Sequence, residues 1–327
     1  MIHSSSSHFV LGIDISKKKF DVALLLPNGK RKNKVFQNTP PGFNTLIQWL
    51  HKWDVQSLHA CMEATNIYGN ALAEFLYDEG FDVSVINPAR IKGFAQSELL
   101  RTKTDAQDAS LIARFCQAMQ PSLWQPEPVS IRQLKAMVKR LDALIGMQQQ
   151  EVNRLDVAES VIQTEIQSHI EQLNLRIQQL RQDIRSHIDN DPDLKHQNDL
   201  LLSIPGIGEK TIACLLAHFH TITRFDQAKK LAAFCGVTPR ERQSGNMTGH
   251  ARMSKTGSAH LRKALFFPAM VALRYNPVLI QLNQRLTAKG KPKMLIIGAA
   301  MRKLVHIIYG VLKNNTPFNP NLIAENP

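Results

Sequence analysis

The chain has 327 residues, 43% of them hydrophobic, which exceeds one ordinary core and excludes wholesale disorder. Its net charge of +13 is uneven: residues 201–327 hold 18 Lys and Arg against 4 Asp and Glu, while residues 1–200 are close to neutral. That asymmetry excludes an evenly basic surface and fits a polyanionic partner, nucleic acid above all, for the last two fifths.

Phe9 to Ile15 is a nearly continuous apolar run and predicts a central, doubly covered strand. A second strand is predicted over Phe20 to Leu26, then the Pro27-Asn28-Gly29 hairpin turn and a third strand over 30–38. Helical spacing covers Gly42 to Trp53. Ser57 to Met62 predicts a fourth strand, Tyr68 to Tyr77 a helix, and Asp82 to Ile86 a fifth strand stopped by Asn87-Pro88. Thr104 to Met119 predicts the helix that closes an α/β N-terminal domain, residues 1–125.

Over 126–191 the pattern changes. From Leu134 to Ile184 apolar residues recur at steps of 4 or 3, broken only by Gln148 and Glu159. This is a coiled-coil pattern, either one rod or a hairpin folded back near 147–160. Its seam needs a partner helix, from the same chain or from a second copy. Residues 192–327 predict a mainly helical basic domain. The four cysteines show neither metal-ligand spacing nor a small-domain disulfide pattern, which fits a reduced, cytoplasmic compartment. No run reaches the roughly 18 apolar residues of a membrane span; the nearest, Ala264 to Leu273, contains Pro268, and Met1 to His8 is polar.

Four carboxylates stand at telling places. Asp14 lies within the first strand, Glu63 ends the fourth, and Asp105 and Asp108 are three apart on one predicted helix. If the first and fourth strands are neighbours, the four oxygens can converge around Mg²⁺ or Mn²⁺, hard cations that bind oxygen donors and clamp a phosphodiester. The Ile204-Pro205-Gly206-Ile207-Gly208-Glu209-Lys210 stretch resembles a helix-hairpin-helix, with Gly206, Gly208 and Lys210 presented to a DNA phosphate. A glycine-rich polar loop around Ser244–Lys255 is flanked by Arg240, Arg242, Arg252, Lys255, Arg262 and Lys263 and reads as a phosphate-binding loop.

Six stretches together resemble the transposases of the bacterial insertion-sequence one-ten family, which includes the pilin-gene invertases. They are Gly12–Lys17, Glu63–Thr65, Val85–Arg90, Arg101–Ala109, Ile204–Thr211 and Arg252–Gly257. The resemblance implies an RNase H-like N-terminal domain of the Holliday-junction-resolvase type, with an Asp-Glu-Asp-Asp tetrad on Asp14, Glu63, Asp105 and Asp108. It implies a coiled coil that drives dimer or tetramer assembly, and a C-terminal domain whose nucleophilic serine falls on Ser244, with Ser254 as the alternative. The implied activity is excision and insertion of an insertion sequence through a covalent phosphoserine–DNA intermediate. Donor and target DNA would be selected by a structured bridge RNA, in the bacterial cytoplasm at the nucleoid. A junction-resolving nuclease of the same fold, working without the serine, is the alternative function.

Overall fold

The computed structural model describes residues 9–64, 67–98, 105–219, 222–240, 243–244, 247–248 and 252–321. The chain divides into two compact units, residues 1–127 and 128–327.

The first unit is built on one five-stranded sheet: β1 (Phe9–Ile15), β2 (Lys19–Leu25), β3 (Arg31–Gln37), β4 (Leu58–Glu63) and β5 (Asp82–Ile86). The strand order is β3-β2-β1-β4-β5. β1 to β3 form an antiparallel meander, whereas β4 and β5 run parallel to β1. The β2–β3 turn closes where Gly29 N–H donates to Leu26 O at 2.9 Å and Asn28 Oδ1 accepts from Lys30 N–H at 3.0 Å.

Alternation along β1 sends its side chains to two different cores. Leu11 and Ile13 pack with Phe43, Leu46 and Leu50 of α1 (Pro40–His51) and Leu72 and Leu76 of α2 (Asn70–Asp78). Val10 faces the other side, with Ala109, Ile112 and Phe115 of α4 (Asp105–Met119) and Ile91 of α3 (Pro88–Ser97). Burial on both faces explains why β1 is a nearly continuous apolar run up to Ile13. α3 is absent from the sequence prediction, which reads Asn87-Pro88 only as a stop. The same pair starts a helix: Asn87 Oδ1 caps Ala89 N–H at 2.9 Å, and Pro88 occupies the first turn.

Cys61 and Cys116 are joined by a disulfide, with Cα atoms 6.0 Å apart. This corrects the expectation, drawn from their scattered spacing, that the cysteines are all reduced. The two lie 55 residues apart in the chain and meet because α4 packs on β4.

In the second unit the long seam is a hairpin. α5 (Val129–Leu155) and α6 (Ser160–Asp189) pack side by side, joined at residues 156–159. Leu134, Val138, Leu141 and Leu144 of α5 share a core with Leu173, Ile177 and Ile184 of α6. Gln148, the polar position in the seam, donates to Asn174 on the facing helix. Val157 and Val161 at the tip are each 85% exposed.

The rest is helical: α7 (Pro192–Leu202), α8 (Glu209–Phe219), α9 (Ala228–Phe234), α10 (Ala259–Tyr275), α11 (Pro277–Ala288) and α12 (Lys293–Asn314). The predicted polar loop contains a small β-ribbon. β6 (Pro239–Arg240) pairs with β9 (Arg252–Met253), and β7 (Gln243–Ser244) pairs with β8 (Met247–Thr248). α12 is long and apolar enough to cross a bilayer, as are α10 and α11 taken together despite their 88° bend. Arg302, Lys303 and His306 interrupt α12, so it holds no unbroken apolar run of that length. Its Ala300, Leu304, Val305 and Ile308 are buried in the core of this unit, as expected of a core helix.

Candidate active site

The acids of the first unit come from three elements. Ile13 pairs with Met62 in the parallel β1–β4 register, so Asp14 and Glu63 are the next residues on adjacent strands. Both are half-buried. They alternate with Ile13 and Met62 and so share the face of Gly12 and Cys61, which α4 covers. Along α4, Cys116 lies against β4 and Ala109 against Gly12. Asp108 is half-buried in the first turn of that helix; Asp105 begins it, and its side chain lies outside the described residues.

A further acid on this face escaped the sequence reading. Asp21 of β2 pairs directly with Asp14 across the antiparallel register. It is 8% exposed and accepts a 3.1 Å bond from Lys19 Nζ. The signal was present, since Asp21 is a charged residue inside a predicted apolar strand, where burial is costly without a partner. These donors are all carboxylate oxygens, the chemistry of a hard divalent cation. Among the described residues, two clusters of three potential metal ligands have atoms that all lie within 4.8 Å of one another: Cys214–His218–His260, and His59–Cys61–Cys116, whose cysteines are tied up in the disulfide. Asp14 and Glu63 share one face of the sheet, and α4, the helix that carries Asp108, covers that face.

The predicted phosphate-contact residues belong to the second unit. The α7–α8 turn is a helical hairpin, with Gly208 O accepting from Thr211 and Ile212 N–H at 2.9 and 3.0 Å. Gly208 and Lys210 are exposed. Gly206 has φ +101°, and a Cβ there would lie 2.6 Å from Ala272 Cβ on α10, so its glycine serves packing inside the unit.

In the ribbon, Ser244 pairs with Met247 through the backbone, and Arg240 pairs with Arg252. The predicted loop serine therefore stands in a strand. Arg242 lies outside the described residues, as do the side chains of Ser244 and Arg252. Arg240 is exposed. Lys255 is exposed with φ +56°, and its carbonyl accepts from Arg262 at 3.1 Å, which pins the loop against the start of α10. Ser254 Oγ accepts from Thr256 N–H at 3.4 Å in a local turn. Burial pushes the thiols of Cys214 and Cys235 up to about 12, so neither is a nucleophile at neutral pH.

Residues 11–158 match the transposase family model of the DEDD type from IS110, and residues 198–284 match the transposase family of IS116, IS110 and IS902. The chain is 35% identical over 317 residues to the pilin gene-inverting protein of Moraxella bovis, covering 95% of this chain and 98% of that protein. The pilin gene-inverting protein of Moraxella lacunata is similar to the same extent. A shorter stretch of 73 residues, 22% of this chain and 20% of the relative, is 37% identical to the transposase for insertion sequence element IS1111A of Coxiella burnetii. The chain therefore belongs to the IS110 family of DNA transposases and site-specific recombinases.

Proposed function

We propose that this chain is an RNA-guided DNA recombinase that excises and inserts an insertion sequence, using a carboxylate metal site and a serine nucleophile. The observation that carries the reading is the β1–β4 register, which makes Asp14 and Glu63 neighbours under the helix bearing Asp105 and Asp108. The sheet order β3-β2-β1-β4-β5 agrees with an RNase H-like fold for residues 1–125. A divalent ion, Mg²⁺ or Mn²⁺, held by Asp14, Glu63, Asp105 and Asp108 would supply Lewis-acid stabilisation of the phosphate oxygens.

Ser244 is the proposed nucleophile, with Ser254 as the alternative. Its hydroxyl loses a proton and its oxygen bonds to the phosphorus. The bridging P–O bond of the DNA strand breaks, and the leaving oxygen takes up a proton. Arg240, Arg242, Arg252 and Lys255 would offset the charge that builds on the phosphate. Gly206, Gly208 and Lys210 would hold a neighbouring backbone phosphate.

Residues 126–191 are the proposed coiled-coil assembly segment of a dimer or tetramer, with the exposed Val157 and Val161 at its tip favouring contact with a second copy. Residues 192–327 form the proposed transposase domain. Its positive charge suits donor and target DNA and a structured bridge RNA, and the workplace is the cytoplasm, at the nucleoid. The relatives named for pilin gene inversion extend the reaction class to inversion.

The test is recombination on a two-site DNA substrate, with and without RNA from the flanks of the reading frame, followed by denaturing electrophoresis. An adduct of DNA and protein that vanishes in Ser244→Ala is the expected result. Cleavage that persists in Ser244→Ala, with free ends and no adduct, assigns the nuclease reading instead.

A further inference from the structure

We propose that Cys214, His218 and His260 form a zinc site in the second unit, distinct from the carboxylates of the first. Cys214 and His218 are four apart on α8 and therefore share a face. His260 stands in the first turn of α10 and brings its Nε2 to 3.2 Å from Cys214 Sγ. The rings of His218 and His260 are 5.3 Å apart, and one ligand atom from each of the three residues lies within 4.8 Å of the others. Tetrahedral zinc with bonds of about 2.0–2.3 Å separates its ligand atoms by roughly 3.4–3.6 Å, so modest closure seats the ion.

The second layer around these residues already suits a metal. His218 Nδ1 lies 2.8 Å from Cys214 O. A carbonyl only accepts, so Nδ1 carries the proton and Nε2 carries the lone pair that binds a metal. His260 Nδ1 lies 3.6 Å from Asp142 Oδ2 on α5, the carboxylate–histidine–metal arrangement that fixes ring orientation and raises ligand basicity. One thiolate and two imidazoles select a borderline-soft ion such as Zn²⁺ over the hard cations that suit the carboxylates.

Three protein ligands leave one position for water, and the His260 side chain, 42% exposed, gives solvent access. The site joins α8, the second helix of the proposed phosphate hairpin, to the helix that follows the ribbon carrying Ser244. Zinc there would hold the two nucleic-acid-facing segments in a fixed relation.

The experiment is Co²⁺ titration of the full-length, EDTA-treated protein, read by absorption. The expected result is a thiolate-to-cobalt charge-transfer band at one equivalent, displaced by Zn²⁺. Co²⁺ at the carboxylates gives no such band, so the outcome is independent of the recombinase reading. Cys214→Ser and the half-exposed His260→Gln should each remove the band. Asp142→Asn should weaken binding about 10-fold, and Cys235→Ala should leave it unchanged. Since Cys214 is buried, circular dichroism of each variant and the zinc-induced rise in melting temperature of the unsubstituted protein accompany the titration. No charge-transfer band in the unsubstituted protein, or a band that survives both Cys214→Ser and His260→Gln, overturns the site.

Discussion

An ideal Cβ on Gly12 of β1 would lie 2.1 Å from the carbonyl oxygen of Ala109 on α4, so strand and helix meet with no room for a methyl group. That contact sets the height of α4 over the sheet, and with it the approach of Asp108 to the strand ends. Gly12→Ala should therefore destabilise the first unit by roughly 3 kcal/mol. Urea unfolding followed by tryptophan fluorescence checks it; an unchanged midpoint would mean that the helix shifts freely.

Asp14 and Asp21 face each other across β1 and β2. Asp14→Asn should abolish strand cleavage. Asp21→Asn removes a carboxylate beside the proposed metal site and should lower cleavage by about 10–100-fold. Raising Mn²⁺ should partly restore the Asp21→Asn protein and not the Asp14→Asn protein. Equal and irreversible losses in both would assign Asp21 a structural role alone.

The two hairpin glycines should separate stability from binding. Gly206→Ala introduces strain at φ +101° and a clash with Ala272, and should lower the melting temperature of the second unit. A Cβ at Gly208 would meet nothing within 4 Å among the described residues, so Gly208→Ala should fold normally and bind DNA more weakly. Lys210→Ala should reduce the slope of log K against log salt by about 1. Unaltered affinity in both Gly208→Ala and Lys210→Ala would remove the hairpin from the interface.

His306 of α12 is held neutral. Burial, then the charges of Arg302, Lys303 and Lys229, keep its pKa below the usual histidine value of 6.5. Among the described residues its Nε2 is buried without a hydrogen-bond partner. The unfolded chain binds the extra proton, so this contribution to stability is intact above pH 6.5 and is lost as pH falls through the folded pKa. His306→Leu should flatten the acid-side fall in melting temperature. His59 in the first unit, its pKa lowered by burial against the opposing charge of Asp82, carries the same sign.

Much of the first unit was legible because its signals are local. The apolar run at Phe9–Ile15, the Asn28-Gly29 turn and the 4-3 spacing from Leu134 each depend on residues within a few positions. The placement of Asp14 and Glu63 near strand ends, and of Asp105 and Asp108 three apart on one helix, was legible for the same reason. Less visible were α3, whose capping pair doubled as a stop, and the ribbon around Ser244, whose two-residue strands are too short for periodicity. Asp21 was hidden within an otherwise apolar strand.

Chain chemistry by itself determined the five strands and most of the long helices, where the basic charge gathers, and that a long helical seam must find a partner. Only the tertiary structure decided that the seam folds back on itself at 156–159, that Cys61 meets Cys116, and that Cys214, His218 and His260 face one another. Periodicity and turn preference act over a few residues. These meetings join positions tens of residues apart, and they are settled by which buried faces pack together.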